Sequence, residues 1–387
     1  MNTVFMLIPR ESQKKFFYSG ITRSYEFRIE SLLKLESAIR SQESEILGAL
    51  KADLRKSELE AYVSELSFLY EEFKFIKKHL KRWMKPKRVS TPFTQWPGKS
   101  YLYSERLGSV LIIAPWNYPF QLVMSPLMGA IAAGNCAVVK PSELAPHTSE
   151  VIRQILSKIF SEDYVAVVTG GVEVSKNLLS LPWDHLFFTG GTEVGRQVMM
   201  EAAKTLTPVT LELGGKSPCI VDENTNWEIT AKRIAWGKFF NAGQTCVAPD
   251  YVLVPKGSTA KFVSLLEKNI SEFYSSAPEK SADYGRIINQ RHYERLKNYL
   301  AQGKVAIGGI FRDEERFLSP TVVTDVDWDS PLMSEEIFGP ILPIIEYESL
   351  EQAMGWVRAR PKPLALYFFS QDKEKAERVL RELSFGG

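Results

Sequence analysis

Cys246 is the residue in this sequence best suited to chemistry. It lies in Phe239-Phe240-Asn241-Ala242-Gly243-Gln244-Thr245-Cys246-Val247-Ala248-Pro249, where Gly243 and Pro249 mark a turn between a helix and a strand beginning near Tyr251. A cysteine on such a turn can be both accessible and activated, and its thiolate is a nucleophile. The commoner fate of a cysteine is to be a small buried hydrophobe. Cys136 and Cys219, in or beside apolar strands, are expected to have that fate. Glu212 stands at the end of the strand in Val209-Thr210-Leu211-Glu212-Leu213-Gly214-Gly215-Lys216. A carboxylate there is costly to bury without a task, and the carboxyl ends of α/β strands are where ligands bind. A general base is one reading and a buried salt bridge the other; the two glycines, which allow close backbone approach, favour the base. Asn117, in Ala114-Pro115-Trp116-Asn117-Tyr118-Pro119, follows another strand. Its amide can donate to a developing oxyanion, although an Asn in a proline-rich turn is often only a turn former.

Three further segments suit a cofactor. Thr189-Gly190-Gly191-Thr192-Glu193-Val194-Gly195 joins a strand to a helix, where phosphate can approach backbone N–H groups. Its spacing is not G-x-G-x-x-G, so alone it is a weak signal. Lys140 and Glu143, in Lys-Pro-Ser-Glu after strand Ala137–Val139, suit a ribose or merely an exposed loop. Glu335-Glu336-Ile337-Phe338-Gly339-Pro340 sets two acids beside an aromatic, and an ordinary exposed turn explains it equally well.

The elements that must position these residues are legible in outline. From about Ser24 to Met84 apolar residues recur at three- and four-residue steps, predicting helices that end before Pro86. Beyond Gly108, strands are expected at Ser109–Ile113, Cys136–Lys140, Tyr164–Thr169, His185–Thr189 and Val209–Leu213. Helices such as Val151–Phe160 and Glu193–Lys204 separate them, which argues for a parallel sheet covered on both faces. The rhythm continues through strand Tyr251–Pro255, helix Thr259–Tyr274, strand Ala365–Phe369 and helix Lys373–Leu383. That last βαβ unit is half built at Ser384-Phe385-Gly386-Gly387, so a further strand is expected beyond it. Without that strand the neighbouring backbone should stay unpaired and Leu366 and Phe368 lose cover, leaving a fragment that dimerises poorly.

Composition narrows the classes. The 387 residues exceed one ordinary domain, and 44% hydrophobic with 24% charged residues is a globular balance. Lys plus Arg number 48 against 46 Asp plus Glu, which gives no footprint for nucleic acid. The basic run from Lys77 to Arg88 reads as a solvated helix C-terminus. Three cysteines give no disulfide framework and suit a reducing compartment. Four histidines lack metal-ligand spacing, so no metal is expected. The stretch between Arg106 and Lys140 has no charge and is long enough to mimic a membrane span, but Pro115, Asn117, Pro119, Gln121, Pro126 and Asn135 interrupt it. A cytoplasmic protein without a membrane segment is expected.

Taken together, and in this order, Pro115-Trp116-Asn117, Lys140-Pro141-Ser142-Glu143, Phe188 to Gly195, Leu211 to Lys216, Gly243-Gln244-Thr245-Cys246 and Glu336 to Pro340 resemble the aldehyde dehydrogenase superfamily, particularly its class 3 branch. The resemblance runs from about residue 20 to the end. It implies an α/β fold with a Rossmann-type cofactor domain (residues 1–90 and 108–210), a bridging hairpin for oligomerisation (91–107) and an α/β catalytic domain (211–387). It implies Cys246 as nucleophile, Glu212 as general base, and Asn117 with the Cys246 N–H as oxyanion donors. NAD or NADP would lie against Trp116, with Lys140 and Glu143 at the adenosine ribose, Gly190, Gly191, Thr192, Glu193, Val194 and Gly195 at the pyrophosphate, and Glu336 and Phe338 at the nicotinamide end.

The resemblance thus implies oxidation of an aldehyde to a carboxylate through a thioester that water hydrolyses, in a homodimer. A coenzyme A-dependent acylating relative typically lacks the base at Glu212. An inactive cofactor-binding relative or fragment is the reading from another class. The intact set Asn117, Glu212 and Cys246 speaks against it and the expected truncation for it.

Overall fold

The computed structural model describes residues 9–387, which form two compact units. The first comprises the chain to Asp53 and Ala61–Glu212; the second comprises Leu54–Glu60 and Leu213–Gly387.

The helical stretch of the first unit is broken into several pieces, of which Tyr25–Ser41 and Ser67–Trp83 are the longest. A short antiparallel pair follows, β1 (Lys87–Val89) with β2 (Ser100–Leu102). Its first arm precedes residue 91, where the hairpin was expected to start. The basic run is therefore divided: Lys81 and Arg82 close the helix, while Lys87 and Arg88 belong to a strand.

The sheet of this unit contains β3 (Ser109–Ile113), β4 (Cys136–Lys140), β5 (Val165–Val167), β6 (His185–Thr189) and β7 (Val209–Glu212). All pairs are parallel and the order is β5-β4-β3-β6-β7. Every residue of β3 and β4 is buried, as unbroken apolar runs in a covered parallel sheet must be. The chain winds outward on both sides of β3, so the order reverses between β3 and β6 at a topological switch point.

The uncharged stretch is strand, turn, helix Gln121–Ala133 and strand, and no described helix is long and apolar enough to cross a membrane. That helix ends at Gly134, whose φ of 82° is the left-handed cap that favours glycine. The next helix starts at Pro146, five residues before the sequence pattern suggested. Proline suits the first helical turn, and Asp53 supplies the cap by accepting the His147 and Thr148 N–H groups at 3.1 and 2.8 Å. A cap so distant in sequence leaves no local signal.

The second unit is built on β8 (Pro218–Val221), β9 (Tyr251–Pro255), β10 (Lys304–Ile307), β13 (Thr321–Thr324), β14 (Ile341–Tyr347) and β15 (Tyr367–Phe369), with a small β11–β12 pair (Phe311–Arg312, Phe317–Leu318) beside them. The order is β10-β13-β14-β9-β8-β15, with only β10 antiparallel to its neighbour. The sequence pattern did not show β8, β10, β13 or β14. A proline opens β8, and Pro343 lies inside β14, a residue that argues against a central strand. At the end of the chain β15 is the edge of the sheet, paired with β8 alone among the strands. After helix Lys373–Glu382 the chain folds back, so that Gly387 O accepts from Leu366 N–H and Gly387 N–H donates to Leu364 O. Leu366 and Phe368 pack with Phe385 against Ile220, Tyr251 and Val379.

Candidate active site

In the first unit the candidate residues gather at the carboxyl ends of the strands, which the switch point makes the ligand-binding edge. Beyond β3, Ala114 N–H donates to Lys140 O at 3.1 Å, after which the chain turns through Trp116, half-buried, and Asn117, only 2% exposed. Lys140 ends β4 almost fully buried and donates to the Glu143 carboxylate, so these two form an ion pair. Beyond β6, Gly190 N–H donates to Glu212 O at 3.0 Å, tying the glycine turn to the end of β7. A Cβ on Gly190 would lie 2.6 Å from the Phe188 ring, so a side chain at 190 would have to displace that ring. Helix Thr192–Ala203 then begins with no side-chain cap, and Gly191, Thr192, Glu193 and Val194 are exposed while Gly195 is buried. Uncapped N–H groups beside such a turn fit a dinucleotide's pyrophosphate, although Glu193 turns its charge to Arg196 at 3.3 Å. Glu212 itself is exposed. The desolvation argument for its role is thereby corrected: the strand ends at the surface and there is no burial penalty to explain.

In the second unit the polarity is opposite. Cys246, Lys216 and Glu336 precede β9, β8 and β14, so they cluster at the amino ends of parallel strands. The Cys246 turn is rigid. Asn241, Ala242 and Gly243 have φ values of 52°, 50° and 73°, and a Cβ on Gly243 would lie 2.2 Å from Gly339 O. Fully buried Gln244 pins the turn: its Nε2 donates to Asn241 O at 3.0 Å and Arg286 O at 2.9 Å, and its Oε1 accepts from Ile288 N–H at 3.0 Å. Tyr367 closes the far side by donating to Val247 O. Cys246 is only half-buried, whereas Cys136 and Cys219 have no exposed surface. Burial pushes the Cys136 thiol up to about 12 and raises that of Cys219 as well. Neither is available as a thiolate near neutral pH.

The segment around Glu336 is not the ordinary exposed turn its composition allowed. Buried Asp250 accepts from Lys216 Nζ and, at 2.9 Å, from Ile337 N–H. Lys216 Nζ also donates to Leu332 O at 2.7 Å and Glu335 O at 3.0 Å. Arg295 donates to Ile337 O at 2.7 Å, and Phe338 is held at a φ of 48°. The two acids part company: Glu335 accepts from the Tyr299 hydroxyl at 2.8 Å, while the Glu336 carboxylate lies where a Cβ on Gly214 would come within 2.3 Å of it. Glycine at 214 is what leaves room for it. Lys216, Lys238 and Asp250 were not singled out from the sequence, where they are ordinary charged residues between apolar ones. Lys238 Nζ is completely buried with no hydrogen-bond partner among the described residues, and burial brings its pKa down to about 8.

Burial, and after it the charge of Asp250, raises the Glu336 carboxyl to about 7, against the pull of the Gly215 N–H, Lys238 and Lys216. The folded pKa therefore lies above the unfolded one. The group's contribution to stability is complete below about 4.5 and lost as pH rises through about 7. Glu336→Gln is thus expected to stabilise the chain at pH 8 by roughly 2 kcal/mol and to have little effect at pH 5. Calorimetry at both pH values checks this, and an equal shift at the two would contradict it.

Comparison with known proteins agrees with this architecture. The family model described as the aldehyde dehydrogenase family matches residues 17–387. The 4,4'-diaponeurosporen-aldehyde dehydrogenase of Staphylococcus aureus is 50% identical over 376 residues, which are 97% of this chain and 82% of the relative. A dimeric NADP-preferring aldehyde dehydrogenase of Canis lupus familiaris is 46% identical over 96% of this chain and 82% of its own length. Aldehyde dehydrogenase family 3 member A2 of Macaca fascicularis is 43% identical, over 98% and 79%. Among solved structures, the substrate-bound state of a Staphylococcus aureus AldH superposes with a TM-score of 0.97 at 48% identity, covering 100% of this chain and 84% of that one. A Mycobacterium tuberculosis aldehyde dehydrogenase complexed with NAD+ superposes at 0.84 and 26% identity, over 93% and 76%. The chain belongs to the aldehyde dehydrogenase family, and it is an aldehyde-oxidising enzyme that uses NAD or NADP.

Proposed function

We propose that this enzyme oxidises its aldehyde through a covalent adduct on Cys246 and releases the product by hydrolysis. The observation that carries the reading is the Cys246 turn, where one half-buried thiol is presented on a backbone pinned by Gln244 while both other thiols are sealed in strands. The thiolate adds to the carbonyl carbon, and the carbonyl electron pair moves onto oxygen. The Asn117 amide and the Cys246 N–H would receive that charge as oxyanion donors. The bound nicotinamide supplies the acceptor for the two electrons and hydrogen lost from the carbonyl carbon. Lys140 and Glu143 would hold its adenosine ribose, the turn from Gly190 to Gly195 its pyrophosphate, and Trp116, Glu336 and Phe338 its nicotinamide side. Glu212 takes a proton from water, hydroxide attacks the thioester carbon, and the Cys246 thiolate leaves. Under this reading the first unit binds the cofactor, the second carries the nucleophile, and the β1–β2 pair serves a homodimer. The Canis relative is named as dimeric, which supports the last point. A set of free cysteines suits the cytoplasm.

Initial rates with aliphatic and aromatic aldehydes, each cofactor, and coenzyme A present or absent test the reaction. Formation of carboxylate and reduced cofactor without coenzyme A is expected. A strict requirement for coenzyme A would replace hydrolysis by acyl transfer and remove the role of Glu212.

A further inference from the structure

Asn117 stands three residues before the N-cap of helix Gln121–Ala133, and that helix has no cap of its own, because Phe120 offers no side-chain acceptor. The acceptor comes from a different helix. Glu65 Oε2 accepts from Phe120 N–H at 2.8 Å and from Gln121 N–H at 3.1 Å, and Glu65 has no exposed surface. A carboxylate is the best partner for these donors, since it meets both orphan N–H groups and the positive end of the helix.

The local backbone is arranged for this contact. Residues Tyr62–Leu66 form a π-turn inside the helical stretch, and Ser64, Glu65 and Leu66 are all buried in succession. Three consecutive buried positions exceed the stripe that a one-sided α-helix presents, and π-turns recur at functional sites. One step further along, Glu72 accepts from the Ser125 hydroxyl, so the same helix is gripped at its first two turns from the same side. The chain between the Glu65 contact and β3 is the turn that holds Trp116, Asn117 and Tyr118, with Asn117 and Tyr118 buried.

We infer that Glu65 is a positioning residue for the reaction: by capping helix Gln121–Ala133 it fixes the turn from which Asn117 donates to the oxyanion. The inference rests on the oxyanion role proposed for Asn117. It sets Glu65 apart from the groups that touch substrate, because it acts through the backbone N–H groups of Phe120 and Gln121.

A double-mutant cycle tests it. Asn117→Ala alone is expected to lower kcat by about 10²-fold or more, the scale for loss of an oxyanion donor. Glu65→Met removes the acceptor at similar volume and should lower kcat by about tenfold, with the Kd for NAD unchanged. The double variant should be no slower than Asn117→Ala within about threefold, since a donor already removed cannot be misplaced. Circular dichroism confirms folding; if Glu65→Met does not fold, Glu65→Gln carries the same cycle with a smaller first step, about threefold, and its double variant must then match Asn117→Ala within about 1.3-fold. Additive losses, or a single Glu65 variant with wild-type kcat, would overturn the positioning role. Asn117→Ala at the wild-type rate would overturn the oxyanion assignment itself, and this inference with it.

Discussion

Cys246→Ser is expected to lower aldehyde turnover by roughly three orders of magnitude or more while NAD binding stays within about twofold of wild type. The size of the loss follows from the chemistry: near neutral pH a serine hydroxyl is almost wholly protonated and has no thiolate-like nucleophilicity. The selectivity follows from the structure. The turn that carries residue 246 is held by the left-handed residues Asn241 to Gly243 and by the Gln244 side-chain hydrogen bonds to Asn241, Arg286 and Ile288. A change of sulfur to oxygen leaves all of these in place. The other two cysteines provide the control. Cys136 lies in β4, where its thiol donates to Gln13 O at 3.7 Å, and Cys219 in β8, both without exposed surface, so serine there puts a more polar, smaller group into a buried sheet, at the greater cost at Cys219. Cys136→Ser and Cys219→Ser should lower the melting temperature and leave kcat nearly unchanged. Steady-state rates beside a fluorescence titration with NAD separate the two outcomes. Turnover at the wild-type level in Cys246→Ser would mean that the nucleophile lies elsewhere.

How much of this was legible in the sequence depended on where each determinant lies along the chain. β3, β4, β6 and β9 coincide with their apolar runs, because a strand covered on both faces needs an unbroken run and little else. Strands that carry a proline, such as β8 and β14, were hidden, since register with neighbours rather than local preference keeps Pro218 and Pro343 in place. Candidate residues of the first unit follow the rule that ligands meet the carboxyl ends of parallel strands. In the second unit that rule fails, because Cys246 and Glu336 stand on the turns that lead into β9 and β14. Only the motifs themselves, read together, pointed to those positions. Least legible were residues that act at a distance: Glu65 on the N-terminus of another helix, Asp53 on a third, and the buried Lys216–Asp250 pair beneath Ile337. Each is a charged residue whose meaning is a partner fifty-five or ninety-five positions away, or thirty-four in the case of the pair. No periodicity records such a pairing.

Glu212→Gln is expected to leave the first turnover fast and make the second slow. If the carboxylate acts on water and not on the thiol, adduct formation and oxidation need nothing from it, and only hydrolysis of the thioester loses its base. Rapid mixing should then show a burst of reduced cofactor close to one equivalent per active site. A steady state slower than wild type by about 10²-fold or more should follow. The geometry at residue 212 favours this division of labour. Its backbone is fixed, since β7 pairs with β6 at Thr189↔Glu212 and its carbonyl accepts from Gly190 N–H, so glutamine should take the same place on the strand. Its side chain is exposed, as a group that draws on solvent water has to be, and no ion pair is lost with its charge among the described residues. The amide therefore removes the proton acceptor with little change of fold. Loss of the burst along with the steady state would show that Glu212 is needed earlier, to deprotonate Cys246. Water would then have to be activated by another group, and the hydrolytic role proposed for this carboxylate would be abandoned.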